Sequence, residues 1–273
     1  MNAAMKNATP LVLVGAGKMG GAMLAGWLDQ GIEAAGVTII DPSPPEEMLA
    51  LIAKHGLNHF TTPPDGLTAA VIVVAVKPQI VAGVLPGLEG LVGADTVSLS
   101  IVAGTRLSTL SESLGGGAVV RAMPNTPAQV GRGVTVCCGD DKLSSGQQQL
   151  ISDLLTTIGK VGWVEEEALI DAVTAVSGSG PAYVFLLAEC MAEAGRKAGL
   201  PDDLAMLLAR ETVSGAGELL FQSDLDAATL RKNVTSPGGT TQAALEVLMA
   251  DPGMQAIFDA AIAAAANRSR ELA

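Results

Sequence analysis

The sequence predicts an α/β fold in its first part, a doubly wound sheet of parallel strands, and an all-α domain in its second. Three observations carry this. Short β-rich runs alternate with helical patterns as far as about residue 165. One of these runs, Val71–Val76, is apolar without alternation, as befits a strand covered by helices on both faces. From Glu166 onward no run reads as a strand, and Ala- and Leu-rich helical periodicity takes over. The division implied is an α/β domain over residues 1–165 and a helical domain over residues 166–273.

Taken in order, Leu11–Val14 is the first strand and Met19–Gln30 the helix after it. Val37–Asp41 leads to the helical pattern Pro45–His55, Val71–Val76 to Gln79–Leu91, and Val97–Val102 to Arg106–Leu114. Further strands at Ala118–Arg121, Val134–Cys138 and Val161–Val164 extend the far edge of the sheet, with a helix over Ser144–Ile158. Beyond Glu166 about five or six helices are expected, punctuated at Leu200-Pro201-Asp202, Thr235 to Gly239, and Asp251-Pro252-Gly253. Ser177-Gly178-Ser179-Gly180-Pro181 reads as a helix break where the domains join. Small apolar residues crowd Ala182–Ala194 and Ala260–Ala266, which fits close helix packing and an oligomer interface equally well.

Composition narrows the function classes. The chain has 273 residues, 49% of them hydrophobic and 16% charged, with mean hydropathy +0.41, so it has ample material for a core. Sixteen Lys+Arg against 28 Asp+Glu give a net charge of -12, the reverse of what a phosphate backbone attracts, and aromatics at 3% supply no stacking platform. No nucleic-acid partner is expected; small ligands are. The cysteines, Cys137, Cys138 and Cys190, are odd in number and lack a Cys-x-x-Cys spacing, which fits a reducing compartment. With His55 and His59 the only histidines, no metal site is expected. Lys6 followed by the apolar run Leu11 to Gly17 resembles a secretory segment until Lys18 and Gly20, without a cleavage site, return it to a strand. No run free of charge, Pro and Gly approaches the ~20 residues of a membrane span, so a cytoplasmic location without membrane association is expected.

The chemistry concentrates in two glycine-rich segments. Gly15-Ala16-Gly17-Lys18-Met19-Gly20 directly follows the first strand and opens a helix, the context in which G-x-G-x-x-G marks a Rossmann-type dinucleotide site. Gly15 permits the tight turn, Gly17 lets backbone approach a pyrophosphate, Gly20 permits close helix–strand packing, and the helix start supplies amides. Asp41 lies at the spacing of about 20 residues where an acid holds the ribose 2′-hydroxyl, which favours NADH; Pro42-Ser43-Pro44-Pro45 brings no arginine for a 2′-phosphate. Val76-Lys77-Pro78 and Val102-Ala103-Gly104-Thr105 follow strands at their carboxyl ends and should line the same crevice. Asn125, in Met123-Pro124-Asn125-Thr126-Pro127, either hydrogen-bonds the nicotinamide side or caps its loop.

The second segment, Thr235-Ser236-Pro237-Gly238-Gly239-Thr240-Thr241, precedes the amphipathic helix Gln242–Met249. Ser236 is expected as N-cap with Pro237 at the first helical position. Two glycines in a first turn cost ~1 kcal/mol each relative to alanine, which argues that something approaches that backbone closely. A small carboxylate fits, held by the amides and by the Ser236, Thr240 and Thr241 hydroxyls. No histidine lies in either segment to move a proton for alcohol or ketone chemistry, whereas a protonated C=N is already electrophilic and needs only positioning beside a nicotinamide.

Together the early glycine loop, Val76-Lys77-Pro78, Met123 to Pro127, Ser177 to Tyr183, and Asn233 to Leu248 resemble the pyrroline-5-carboxylate reductase family over essentially the whole chain. The resemblance implies hydride transfer from NAD(P)H to the ring imine carbon of 1-pyrroline-5-carboxylate, the last step of proline biosynthesis. It implies that Thr241 hydrogen-bonds the ring nitrogen, while Ser236 and the amides around Gly239 and Thr240 hold the carboxylate. It further implies a homodimer through the helical domain, which completes the substrate site, and assembly of such dimers into decamers. Members of the family commonly use NADPH, with small polar and basic residues after the second strand, so Asp41 leaves the preference between NADPH and NADH open. A β-hydroxyacid dehydrogenase shares the layout but would need a lysine proton carrier, and Lys197 and Lys232 sit at no evident site.

Overall fold

In the computed structural model, which describes residues 7–272, eight strands form one sheet in the order β3-β2-β1-β4-β5-β6-β7-β8. They are β1 (Leu11–Val14), β2 (Val37–Ile40), β3 (Asn58–Phe60), β4 (Ala69–Val74), β5 (Val92–Ser100), β6 (Ala118–Met123), β7 (Gly133–Gly139) and β8 (Gly159–Trp163). All neighbouring pairs are parallel except β6 with β7, which run antiparallel. Lys6 and the other residues outside 7–272 lie outside the described residues.

Alternate residues of each central strand feed two separate cores. Leu11, Leu13, Val37, Ile39, Val71, Val73, Val97 and Leu99 pack on one face against Met23, Leu24 and Trp27 of α1 (Lys18–Asp29) and Ile151, Leu154 and Leu155 of α5 (Ser145–Thr156). Val12, Val14, Ile72 and Val74 pack on the other against Leu85, Leu88 and Leu91, and against Leu110 and Leu114 of α4 (Leu107–Leu114). Strands covered on both sides favour apolar residues at every position, which is why β1 and β4 read as unbroken runs and β2 is broken by Thr38 alone. The Trp27 indole N–H donates to the Leu154 carbonyl at 2.9 Å, satisfying the one polar atom of a fully buried ring. α2 (Glu46–His55) joins β2 to β3.

The segment expected as one helix over Gln79–Leu91 is instead a single α turn, α3 (Val81–Val84), between 3₁₀ stretches Pro78–Ile80 and Leu85–Leu91. Pro86, Gly87 and Gly90 explain the difference, since proline removes a helical donor and glycine disfavours helix. β3 has no counterpart among the expected strands. It is a three-residue edge strand with polar and exposed positions, too short for any period to register.

The described chain divides into two compact units, one running to Gly178 and resuming at Ala266, the other Ser179–Ala265. The first includes α6 (Leu169–Val173) and a π-helical turn, Thr174–Gly178. The expected break at Ser177 to Pro181 is therefore a change of helical register, with α7 (Gly180–Lys197) starting two residues beyond the π turn. The second unit contains α7, α8 (Asp202–Gln222), α9 (Ala227–Asn233) and α10 (Thr240–Leu248); α11 (Met254–Leu272) begins in it and ends in the first. In the helical unit a Cβ on Gly195 would meet the Ala205 Cβ at 3.5 Å, so α7 and α8 lie close, and Tyr183 meets Phe258 edge-on at 6.4 Å.

Leu169–Lys197 forms one helical stretch that is long and apolar enough, by length and composition, to cross a membrane. The stretch contains Asp171, Gly178, Gly180 and Pro181, so it is no run free of charge, Pro and Gly, yet helical structure continues through those residues.

Candidate active site: two glycine-rich helix starts

The first glycine segment lies where the sheet order reverses between β1 and β4, the switch point at which open α/β sheets take their ligands. Its amide Gly15 N–H donates to the Ile40 carbonyl, and a Cβ on Gly15 would lie 2.8 Å from the Ala75 oxygen. With φ at +89° as well, only glycine fits there. A Cβ on Gly20 would lie 2.4 Å from the Gly15 oxygen, so that glycine sets how closely α1 approaches the loop. Gly17, the N-cap of α1, is different: a Cβ there would meet nothing within 4 Å. Gly15 and Gly20 thus stand where a turn and a close approach exclude a side chain, and the open space beside Gly17 and the first amides of α1 has room for a diphosphate.

Asp41 is tied to this loop. Its carboxylate accepts the Ala16 amide at 2.7 Å and the Ser43 amide at 2.8 Å, while its own N–H donates to the Phe60 carbonyl at 3.0 Å. His59 Nε2 lies 2.8 Å from the Asp41 carbonyl oxygen. A cleft of about 680 Å³ opens beside the loop, lined by residues that include Ala16, Gly17, Lys18, Glu46, Glu47 and Gln129.

The structure brings Val76 to the same loop: its Cγ1 would touch a Cβ on Gly15 at 2.9 Å. Lys77 and Pro78 are exposed just beyond, at the carboxyl end of β4; Met19 is half-buried in the first turn of α1. Ala103 is exposed and Gly104 half-buried after β5. Asn125 is committed to protein groups: its Oδ1 accepts the Val134 amide at 2.9 Å and its Nδ2 donates to the Ser177 carbonyl at 3.2 Å. Those bonds fasten the proline-flanked loop to β7 and to the π turn, the loop-capping alternative left open by the sequence.

Sequence reasoning missed a partly buried ion pair between β6 and Glu167. Arg121, buried on β6, donates to Glu167 Oε1 at 2.8 Å, and the same oxygen accepts the Leu107 amide at the start of α4. The partners are 46 residues apart, so no local pattern announces them. Next to them, burial raises the Cys138 thiol above its ordinary range, Glu167 adds to the rise and Arg121 opposes it. Burial, seconded by Cys138, pushes Cys137 up to about 12. Both remain neutral thiols at physiological pH, inert as nucleophiles.

The second glycine segment belongs to the helical unit. The helix begins later than expected, at Thr240 with Gly239 as N-cap, and Ser236 is the first residue of a turn closed by the Gly239 amide on the Ser236 carbonyl at 3.0 Å. The glycines are therefore not inside a helical first turn: Gly238 has φ at +69°, which a side chain would strain. The Gly238 amide donates to Gln242 Oε1 at 2.8 Å. With the Gly238 and Gly239 amides engaged, the first amides of α10, at Thr240, Thr241 and Gln242, have no intrahelical partners, since the first helical bond runs from the Ala243 amide to the Gly239 carbonyl. Ser236 and Thr240 are exposed and Thr241 is half-buried.

A family model described as pyrroline-5-carboxylate reductase dimerisation matches residues 167–272, and one described as NADP oxidoreductase, coenzyme F420-dependent, matches residues 10–104. The chain is 37% identical over 265 residues to the pyrroline-5-carboxylate reductase of Pseudomonas aeruginosa, covering 96% of each protein. The Pisum sativum enzyme of that name is 38% identical over 263 residues, covering 96% of this chain and 95% of its own. This chain belongs to the pyrroline-5-carboxylate reductase family. The solved reductase from Coxiella burnetii superposes with a TM-score of 0.90 at 32% identity, over 97% of this chain and 99% of that one. The Plasmodium falciparum reductase, solved with NADP bound, gives 0.77 at 28% identity, over 97% of this chain and 98% of that one. Both glycine-rich segments thus lie within a relationship that spans the reductase chain almost end to end.

Proposed function

We propose that this chain catalyses the NAD(P)H-dependent reduction of 1-pyrroline-5-carboxylate to proline, the last step of proline biosynthesis. The observation that carries the reading is near-complete coverage, at 37% identity, of a relative bearing that name. The open backbone beside Gly17 supports it, because that is the feature a dinucleotide diphosphate requires.

When bound, the reduced nicotinamide supplies a hydride for the ring imine carbon. The Gly15–Gly20 loop holds the diphosphate through main-chain N–H groups, with Lys18 beside it. Val76, Lys77, Pro78, Ala103 and Gly104 line the crevice, and Asn125 stiffens the loop on its far side. In the helical unit, the Thr240 and Thr241 amides and the Ser236 hydroxyl hold the carboxylate without a formal positive charge, and the Thr241 hydroxyl hydrogen-bonds the ring nitrogen. The protein's task is to orient an electrophile that is already activated, which accounts for the lack of a histidine in either glycine-rich segment.

The functional form is a homodimer through the helical unit, and the family resemblance extends this to decamers, five such dimers each, in the cytoplasm. The exposed apolar side chains of that unit support association, and they account for the apolar length of Leu169–Lys197 by protein contact instead of lipid.

Absorbance at the reduced-nicotinamide band tests the activity. Oxidation of NADH or NADPH that depends on pyrroline carboxylate is expected. Turnover of a 3-hydroxy acid in place of the imine would move the chain to the hydroxyacid dehydrogenases, and cofactor binding without turnover would make it a sensor.

A further inference from the structure

We infer that Asp41 and the turn after it make this chain selective for NADH over NADPH. The inference rests on the dinucleotide reading of the Gly15–Gly20 loop and goes beyond it, because that loop contacts a diphosphate common to both cofactors.

Three features meet at the end of β2. The Asp41 carboxylate is held from two sides by the Ala16 and Ser43 amides, and the Asp41 backbone is held by Phe60 and His59. Such a carboxylate cannot swing away to admit a second anion without giving up two charge-assisted hydrogen bonds. Its remaining lone pairs can still accept ribose hydroxyls.

The second feature is a shortage of donors. A 2′-phosphate carries a charge of about −1.5 to −2 and needs N–H groups or cations around it. In Pro42-Ser43-Pro44-Pro45 three of four residues have no N–H, and the fourth, Ser43, already donates its amide to Asp41. The third is the charge that follows. Glu46 and Glu47 begin α2 and line the cleft, where Lys18 is the one cation among the lining residues, and Lys18 stands at the start of α1 beside the diphosphate position. A 2′-phosphate here would meet three carboxylates with one competing cation, whereas a 2′-hydroxyl would meet an acceptor already in place.

The experiment is equilibrium binding of NADH and NADPH to the full-length protein by calorimetry, at low and high salt. NADH is expected to bind at least tenfold more tightly, and the ratio should shrink as salt screens the repulsion. Asp41→Asn keeps an acceptor for the Ala16 amide while removing the charge, and should move the ratio at least tenfold toward NADPH. Pro45→Arg leaves Asp41 untouched, adds a cation to the turn, and should tighten NADPH specifically. Equal or tighter binding of NADPH by the unaltered protein would overturn the inference, as would a ratio unmoved by both variants. Failure of both cofactors to bind would instead overturn the dinucleotide reading on which it rests.

Discussion

In the α/β unit Leu11, Leu13, Trp27 and Leu99 are fully buried, whereas in the helical unit the buried side chains among the described residues are those of Ala192, Ala205 and Ala209. The helical unit's large apolar residues face outward: Phe185 is 64% exposed, Leu219 65% and Ile257 70%. One unit closes its hydrophobic surface within its own chain; the other does not. The two glycine segments follow the same division. The Gly15–Gly20 loop is fixed by long-range bonds to Ile40 and Asp41, while among the described residues the bonds of the Ser236–Thr241 turn are local, involving Ser236, Gln242 and Ala243. The difference is that the α/β unit is fixed by contacts across its sheet, whereas the helical unit leaves large apolar side chains outside its own core.

The sharpest way to break this comparison is to make the outward face polar. Phe185→Asp combined with Leu219→Asp should reduce the mass seen by light scattering to that of one chain. Turnover should fall by more than ~100-fold, since each large side chain contributes ~1.5–3 kcal/mol when buried. Dinucleotide binding should survive, and an unchanged mass would refute the division.

Within the α/β unit, Gly20→Ala forces a Cβ to 2.4 Å from the Gly15 oxygen and should cost ~2–3 kcal/mol of stability along with cofactor binding. Gly17→Ala, where the Cβ meets nothing, should unfold within ~0.5 kcal/mol of the unaltered protein yet bind dinucleotide more weakly by calorimetry. Equal losses of stability in the two variants would contradict the assigned roles. In the helical unit Thr241→Ala should lower turnover by ~10–100-fold, equivalent to a hydrogen bond of ~1.5–3 kcal/mol, and an unchanged rate would remove Thr241 from the mechanism.

The last effect appears only at high pH. The Cys137 thiol ionises near its ordinary value of 9.0 when unfolded and at about 12 when folded. Between those values the unfolded chain has lost a proton that the folded chain keeps, so Cys137 removes ~1.4 kcal/mol of stability per pH unit as pH rises from 9 toward 12, and nothing below 9. Thermal unfolding of Cys137→Ala should fall less steeply with pH over that range, and parallel profiles would remove the buried thiol as the cause.

Much of the fold was legible because strands buried on both faces leave an unmistakable apolar run, as Val71 to Val76 does. β3 was not, since an edge strand of three residues carries no such constraint. The turn at Gly15 and the close approach at Gly20 could be read because G-x-G-x-x-G between a strand and a helix is a recurrent spacing that demands both. Ser236 was misplaced as a cap because serine before proline suits both a helix start and a turn, and only the left-handed Gly238 decides between them. Asn125 and the Arg121–Glu167 pair depend on partners tens of residues away, which sequence spacing does not encode.

α11 starts in the helical unit and finishes in the other, where the Ser269 hydroxyl donates to Asp171 at 2.6 Å. The helical unit is therefore an insertion, tethered at both ends. A protease nick near Gly178 would free neither piece, and a gene fragment stopping there would encode a sheet deprived of its own last helical segment.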